Sequence, residues 1–462
     1  MHLIFEYSTL QFFKIHSIIG ETILSKLFSI FFSISLLFVG SASAFDWKAH
    51  SGKTITFLMS EHPVLKGIRS VLPDFERDTG IKVKVNAMAE DVYFDKMEVA
   101  LRSGKGVADV HFCPMDSTAF NQYLAGLLEP LDQFIFDSNQ TSSSYDIADF
   151  PDGFLQSTRF PGGPGSNHYC IPASFESYIL FYNKNHVNKY LGGKVPETFD
   201  DLIFAANKVK KMSNGDVMGM VVRGKRTDTA IDTITGVVYN SWGSRSVNYP
   251  QNIWFEDGWQ SPQMDHPAIQ RGLAQYAGLM SAGPDDIKAY DWNEAGTAFQ
   301  QNLSAFFVDA SLFGPWFEET DSPSKGNVGY AVLPPQVKGG KSYTAHWQWG
   351  LGMPANAPEK GAAWYFIQYM TNKMNEPKIG AFHGGAARMS TWSNNVYTKT
   401  LNPDYVSATL ESMKTTRSSV VMKEGWSKYA LEIVDTIHRI HGGEAALQSG
   451  QKANSKFLNY NK

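Results

Sequence analysis

Residues 54–85 read TITFLMSEHPVLKGIRSVLPDFERDTGIKVKV, and this stretch decides the fold. Thr54–Met59 is apolar and β-rich, as a buried strand requires. Ile68, Val71, Leu72 and Phe75 then recur at i, i+3, i+4 and i+7, one face of a helix that Thr79-Gly80 ends. Ile81, Val83 and Val85 alternate with Lys82, Lys84 and Asn86, which predicts a strand with one buried face. Phe94, Met97 and Leu101 mark a second helix, and 108–113 (ADVHFC) reads as a third strand. Strands separated by helices pair in parallel through right-handed crossovers, so the chain opens as an α/β unit.

Working outward, the rhythm breaks over 137–168, which is rich in Ser, Asp, Gly and Pro. Beyond it, 169–171 and 178–182 are expected to form a strand pair. Thr198 is placed to cap a helix that carries Leu202, Ala205, Ala206 and Val209 inward. Further strands are expected at 217–222, 305–308 and 328–333, with helices after Pro267, over 359–370 and through most of 401–458. Cys113 and Cys170 are too few for a disulfide scaffold or a structural zinc site. They are expected either to close the intervening loop as a disulfide or to stay as two buried thiols.

Towards the N-terminus, 27–40 (LFSIFFSISLLFVG) carries no charge, follows Lys26 and precedes Ala42-Ser43-Ala44. A basic residue, a short apolar run and an A-x-A site predict a secretory signal peptide cut before Phe45. The 14-residue run is shorter than the ~20 residues of a membrane span. Residues 1–26 make an unusually long preface, so translation is expected to start near Leu24 and residues 1–44 to be absent from the mature chain.

Composition narrows the function. The 462 residues carry a formal charge of −4 and are 43 % hydrophobic, enough for large cores and without the basic footprint of a nucleic-acid binder. Enzyme motifs fail on inspection. Gly339-Gly340-Lys341-Ser342 lacks the P-loop's earlier glycine, because Pro335 stands there. His383-Gly384-Gly385 has no G-x-S-x-G nucleophile elbow to serve. His438 and His441 lack the other ligands of a metal motif. No catalytic residue, metal or cofactor is expected.

From Thr54 to about Met389 the chain resembles the family-1, sugar-type extracellular solute-binding proteins, the periplasmic receptors of ABC importers. The resemblance is carried by ITFLMSEHP (55–63), VLPDFERDTGIKVKV (71–85), YFDKMEVALRSGKGVADV (93–110), AGLLEPLDQF (125–134), IPASFESYILFYNK (171–184) and PETFDDLIFAA (196–206). It continues through RGKR (223–226), YDWNEAGTAFQQNLSAFFVDAS (290–311), VGYAVLPP (328–335), WGLGMPANAP (349–358) and AAWYFIQYMTNK (362–373). The RGKR and DWNE segments are most similar to the branch that binds sugars and sugar alcohols. The chain departs from that pattern at Cys170 and Ala173-Ser174, and in the Gly-rich loop before them.

The resemblance implies an α/β, two-lobed periplasmic-binding-protein fold of type II, with the ligand cleft between lobes. One lobe would take 45–148 and 345–398, the other 149–344 and 399–462, with crossings near 149–172 and 342–349. It also implies a monomer that meets permease subunits in the inner membrane. Ligands of open α/β sheets sit beyond the carboxyl ends of strands, which independently nominates Glu61 and His62, Glu90, Asp116, Arg223 and Asp309. Ser174, just after Pro172, and Glu176 at the hinge join them. Carboxylates accept from neighbouring hydroxyls and Arg223 donates in a planar fork, a set suited to a polyhydroxylated ligand. Trp242, Trp292, Trp347 and Trp349 are candidate platforms for a sugar's C–H face. Two rival expectations remain at this level. One is a receptor for glycerol-3-phosphate or another anion, if Arg223, Lys225 and Arg226 all face the cleft. The other is a secreted carbohydrate hydrolase.

Overall fold

The computed structural model describes residues 45–248 and 252–462. The expected signal peptide and its preface fall outside the described residues. Among the described residues, no helix is long and apolar enough to cross a membrane.

The opening segment folds as its periodicity predicts. Strands β1 (Thr54–Ser60), β2 (Lys82–Met88) and β3 (Val110–Pro114) pair in parallel in the order β2-β1-β3. They are connected by helices α1 (Pro63–Thr79) and α2 (Glu90–Arg102). α1 stops at Gly80, whose φ of 73° is the left-handed conformation glycine adopts freely. The short helix α3 (Ser117–Leu124) follows β3.

The central element is a correction to the sequence reading. Instead of a pair over 169–171 and 178–182, the chain forms one 14-residue strand, β4 (Cys170–Asn183). Ser174, Glu176 and Ser177 interrupt the apolar pattern, yet all three are buried because both faces of β4 are covered. Pro172 lacks an N–H for the ladder, and its partner strand shifts register at Trp349/Gly350, beside it.

That partner is β8 (Thr344–Gly352), antiparallel to β4. The remaining strands of this sheet are β5 (Met218–Val221), β6 (Ser304–Ala310), β7 (Val328–Ala331) and β9 (Thr416–Ser418), and two further two-stranded sheets of the described residues lie outside it. Among the described residues the nine strands run β2-β1-β3-β8-β4-β6-β5, with β7 on β4 and β9 on β8. The far half of β4 pairs with β6, while the end of β8 pairs with β3. Two long strands therefore join the β1–β3 half of the sheet to the β5–β6 half. Among the remaining helices are α4 (Ala230–Trp242), α5 (Trp292–Gln300) and α6 (Ser427–His441). Thr198 caps Phe199–Met212 as expected, accepting from Asp201 N.

Cys113 and Cys170 form a disulfide between β3 and β4, with Cα atoms 6.6 Å apart and both residues fully buried. They are 57 residues apart in sequence. In the chain-entropy picture a loop of that size is worth about 4 kcal/mol. The Cys113→Ala/Cys170→Ala double variant should lose stability of that order in urea titrations. An unchanged midpoint would contradict the assignment.

Candidate functional site

A cleft of about 960 Å³ opens where the strand ends of the two halves face each other. That is the upper end of the ~300–1,000 Å³ range typical of small-molecule sites. Helix starts supply one side. His62 caps α1, its Nδ1 accepting from Val64 N at 3.2 Å. An accepting Nδ1 places the ring proton on Nε2, which lies 3.9 Å from Glu176 Oε1. Burial lowers the pKa of His62 to about 4, so the imidazole is neutral. Asp116 caps α3, its Oδ1 accepting from Thr118 N at 2.6 Å and Oδ2 from Thr118 Oγ1 at 3.2 Å.

The two long strands form the floor. Period-two alternation puts Ser174, Glu176 and Tyr178 on one face of β4. On β8, Trp347 stands opposite Glu176 and Trp349 opposite Ser174. Trp349 stacks on Phe112 with ring centres 4.4 Å apart and planes 6° from parallel. Trp347 meets it edge-on at 5.9 Å and is only half-buried.

The other side is organised around an ion pair. Arg223, two residues past β5, is held in a fork by Asp309 of β6: Nε donates to both carboxylate oxygens at 3.1 and 3.0 Å, and Nη2 to Oδ1 at 2.5 Å. Arg223 Nη1 also donates to the Thr229 carbonyl at 2.8 Å. β5 and β6 are parallel neighbours, so both side chains leave the sheet at the same end. Asp309 is fully buried behind Arg223, which is itself 8 % exposed. Trp292 opens α5, where Asp291 and Glu294 make a reciprocal capping box.

The cleft thus brings together Glu61, His62, Asp116, Glu176, Arg223, Trp292, Trp347 and Trp349 of the nominated residues. Ser174 lies on the same strand face, buried, with no hydrogen-bond partner for its hydroxyl among the described residues. Asp309 reaches the cleft only through Arg223. Glu90 begins α2, but its side chain lies outside what is described. Trp242 stands apart from the lining: its indole N–H donates to the Ser246 carbonyl at 2.9 Å and its ring packs on His266 at 4.7 Å. Arg226 turns away to Asp435, 2.6 Å from its Nε, and Lys225 is not part of the lining, so the condition for an anion site is not met.

Sequence reading missed Tyr178, Asp228, Asp232, Trp316 and Trp426, all of which line the cleft. Asp232 was the findable one. It sits in the first turn of α4, the helix that follows β5 and the Arg223 loop, one step beyond the strand end. Trp426 arrives from just before α6, and no local pattern announces it.

Burial dominates the titration of two of these carboxyls. It pushes Asp116 up to about 7, helped by the nearby Asp228 and opposed by the Thr118 hydrogen bonds. It pushes Asp232 up to about 8, with Arg223 opposing and Asp116 and Asp228 reinforcing. Burial also lowers His111 to about 4 and His346 and His383 to about 3. A carboxyl raised on folding stabilises below its unfolded pKa, and that contribution is lost as pH rises through the folded value. An imidazole lowered on folding contributes above about 6.5, and loses that contribution as pH falls. The unfolded imidazoles are nearly all neutral only above about pH 7.5, so from there to about pH 8.5 the change comes from the carboxyls. Thermal melts of the ligand-free protein should therefore show Tm declining across that window, and Asp232→Asn should flatten the decline. A flat wild-type profile there would contradict the assignment.

The fold and the site have counterparts among known proteins. The erythritol/L-threitol-binding protein of Mycolicibacterium smegmatis is 29 % identical over 359 residues, covering 75 % of this chain and 73 % of that protein. An ABC transporter solute-binding protein from Agrobacterium vitis S4, with bound D-mannitol, superposes with a TM-score of 0.68 at 24 % identity, covering 88 % of this chain and 98 % of that one. Another, from Agrobacterium radiobacter K84 in complex with ribitol, gives 0.71 at 19 % identity over 89 % and 99 % of the two chains. These structures share the two-lobed α/β fold. Residues 60–377 match the family described as bacterial extracellular solute-binding protein, and the chain belongs to that family.

Proposed function

We propose that this protein is the periplasmic receptor of an ABC importer and that it binds one sugar or sugar alcohol in the cleft described above. One observation carries the reading. Carboxylates, a fixed guanidinium fork and indole rings converge on a single cleft from both halves of the sheet. Hydroxyls arranged along a polyol need acceptors and donors at several fixed points, and its C–H faces need flat apolar surfaces. The relatives support the same class, since their names and complexes specify erythritol or threitol, D-mannitol and ribitol. An anionic ligand suits the cleft less well, because Asp309 already neutralises Arg223.

In this reading one lobe comprises 45–148 and 345–398, and the other 149–344 and 399–462, with β4 and β8 as the strands that flex between them. His62 and Asp116 then touch the ligand from one lobe, Arg223 and Trp292 from the other. Ligand contacts both sides only when the lobes close, so it shifts the population towards the closed state. The closed monomer presents the ligand to the permease subunits, and the protein does no chemistry on it. Export would leave Phe45 as the first residue.

A panel of alditols, monosaccharides and short oligosaccharides tests this by tryptophan fluorescence and thermal melting. At least one alditol or sugar is expected to give a saturable fluorescence change. It should also add about 2.7 kcal/mol of stability at a hundredfold excess over Kd. No response from any member would overturn the reading.

A further inference from the structure

We infer that the cleft prefers a cationic polyol, an amino alditol or amino sugar, to its neutral and anionic counterparts. The inference rests on the polyol reading above and narrows it.

The first observation is charge. Among the described residues, eight carboxylates line the cleft and only three basic side chains do. Two of the three are already paired with carboxylates, which leaves one exposed lysine against the remaining carboxyl groups. Arg102 is exposed and paired with Glu98 at 2.5 Å, Lys66 is exposed, and Arg223 is committed to Asp309. His62 is neutral. Asp228 raises the proton affinity of Asp116, and Asp116 and Asp228 together raise that of Asp232. Thr118 donates to Asp116, and Ser427 Oγ donates to Asp228 at 3.0 Å, but neither brings a positive charge. A neutral hydroxyl can donate one hydrogen bond to this group but does nothing to favour the ionised carboxylates that burial and mutual repulsion hold back, whereas a cation would. An ammonium offers three donors and a full positive charge, and its bonds to carboxylates are about twice as strong as neutral ones.

The second observation is independent of charge. Tyr178, Trp292, Trp316, Trp347 and Trp426 line the same cleft. The electron-rich faces of indole and phenol rings attract cations, by up to ~2 kcal/mol where water is excluded. The same rings accept the C–H face of the polyol chain. An anionic polyol would meet both the excess carboxylates and the ring faces unfavourably. The feature common to rings and carboxylates is affinity for a positive charge on a hydroxylated chain.

Calorimetric titration at pH 7 with matched pairs tests the inference. The pairs are alditols and the amino alditols that carry an amine in place of one terminal hydroxyl (D-glucitol against D-glucamine, with shorter homologues), together with D-glucose and D-glucosamine. In the pair that binds best, the amino member is expected to bind at least tenfold more tightly, and Asp232→Asn should bring the ratio towards one. A neutral member that binds as tightly as its amine, or more tightly, overturns the inference and leaves the polyol reading standing. Failure of every member of every pair overturns both. Because the ratio is measured on the wild-type protein, the outcome does not depend on a variant folding.

Discussion

Arg223→Ala is expected to cost about 3–5 kcal/mol of stability, because it leaves the carboxylate of Asp309 buried without a countercharge. Asp309 is fully buried, and all three of its hydrogen bonds from the guanidinium disappear together. Arg223 Nη1 also holds the Thr229 carbonyl at the start of α4, so the loop carrying Asp228 loses an anchor. Ligand affinity should fall about ten- to a hundredfold, the worth of one charged hydrogen bond in a site. Arg223→Met combined with Asp309→Leu separates the two effects. An apolar pair of similar volume restores most of the stability, because no charge is stranded, but it cannot restore the donor fork. Denaturant titration and calorimetry of the single and double variants measure both. A single variant as stable as wild type would show that the pair is not buried as described.

The two tryptophans of β8 should behave in opposite ways. Trp349 is 4 % exposed and packs among Phe112, His62 and Phe94. Trp349→Ala opens a cavity in that cluster and should cost about 3–5 kcal/mol. Trp347 is half-buried and, among the described residues, its aromatic contact is the edge of Trp349. Trp347→Ala should change stability by less than about 1 kcal/mol, since little packing is lost. It should weaken ligand binding at least tenfold, because a ring platform goes. If Trp347→Ala unfolds the protein while Trp349→Ala only weakens binding, the two roles have been reversed.

Much of this site was legible because a parallel α/β sheet places its chemistry by rule. Glu61 and His62 after β1, Asp116 after β3 and Arg223 after β5 come directly from where the strands end. The same rule found Asp309, though as the partner that fixes Arg223 rather than as a wall of the cleft. Long-range assembly was less legible. β4 looked like two strands because polar residues that serve the cleft break its apolar run. Trp242 lies between Ser241 and Gly243 and Trp347 between His346 and Gln348, neighbours that announce neither role, and only tertiary packing separates the one on His266 from the one in the cleft. Cys113 and Cys170 stayed open between thiols and a disulfide until β3 and β4 could be placed together. Asp228, Asp232 and Trp426 come from segments that meet only in the folded chain.

The most direct test of the central claim is the stoichiometry and location of polyol binding. Purified protein, freed of bound ligand by unfolding and refolding, should be titrated calorimetrically with the best binder from the alditol and sugar panel. Wild type, Trp347→Ala and the Arg223→Met/Asp309→Leu protein should be compared. One saturable site per chain, weakened at least tenfold in both variants, is the expected result. Absence of saturable binding, or binding that neither variant alters, would contradict a polyol receptor built on this cleft.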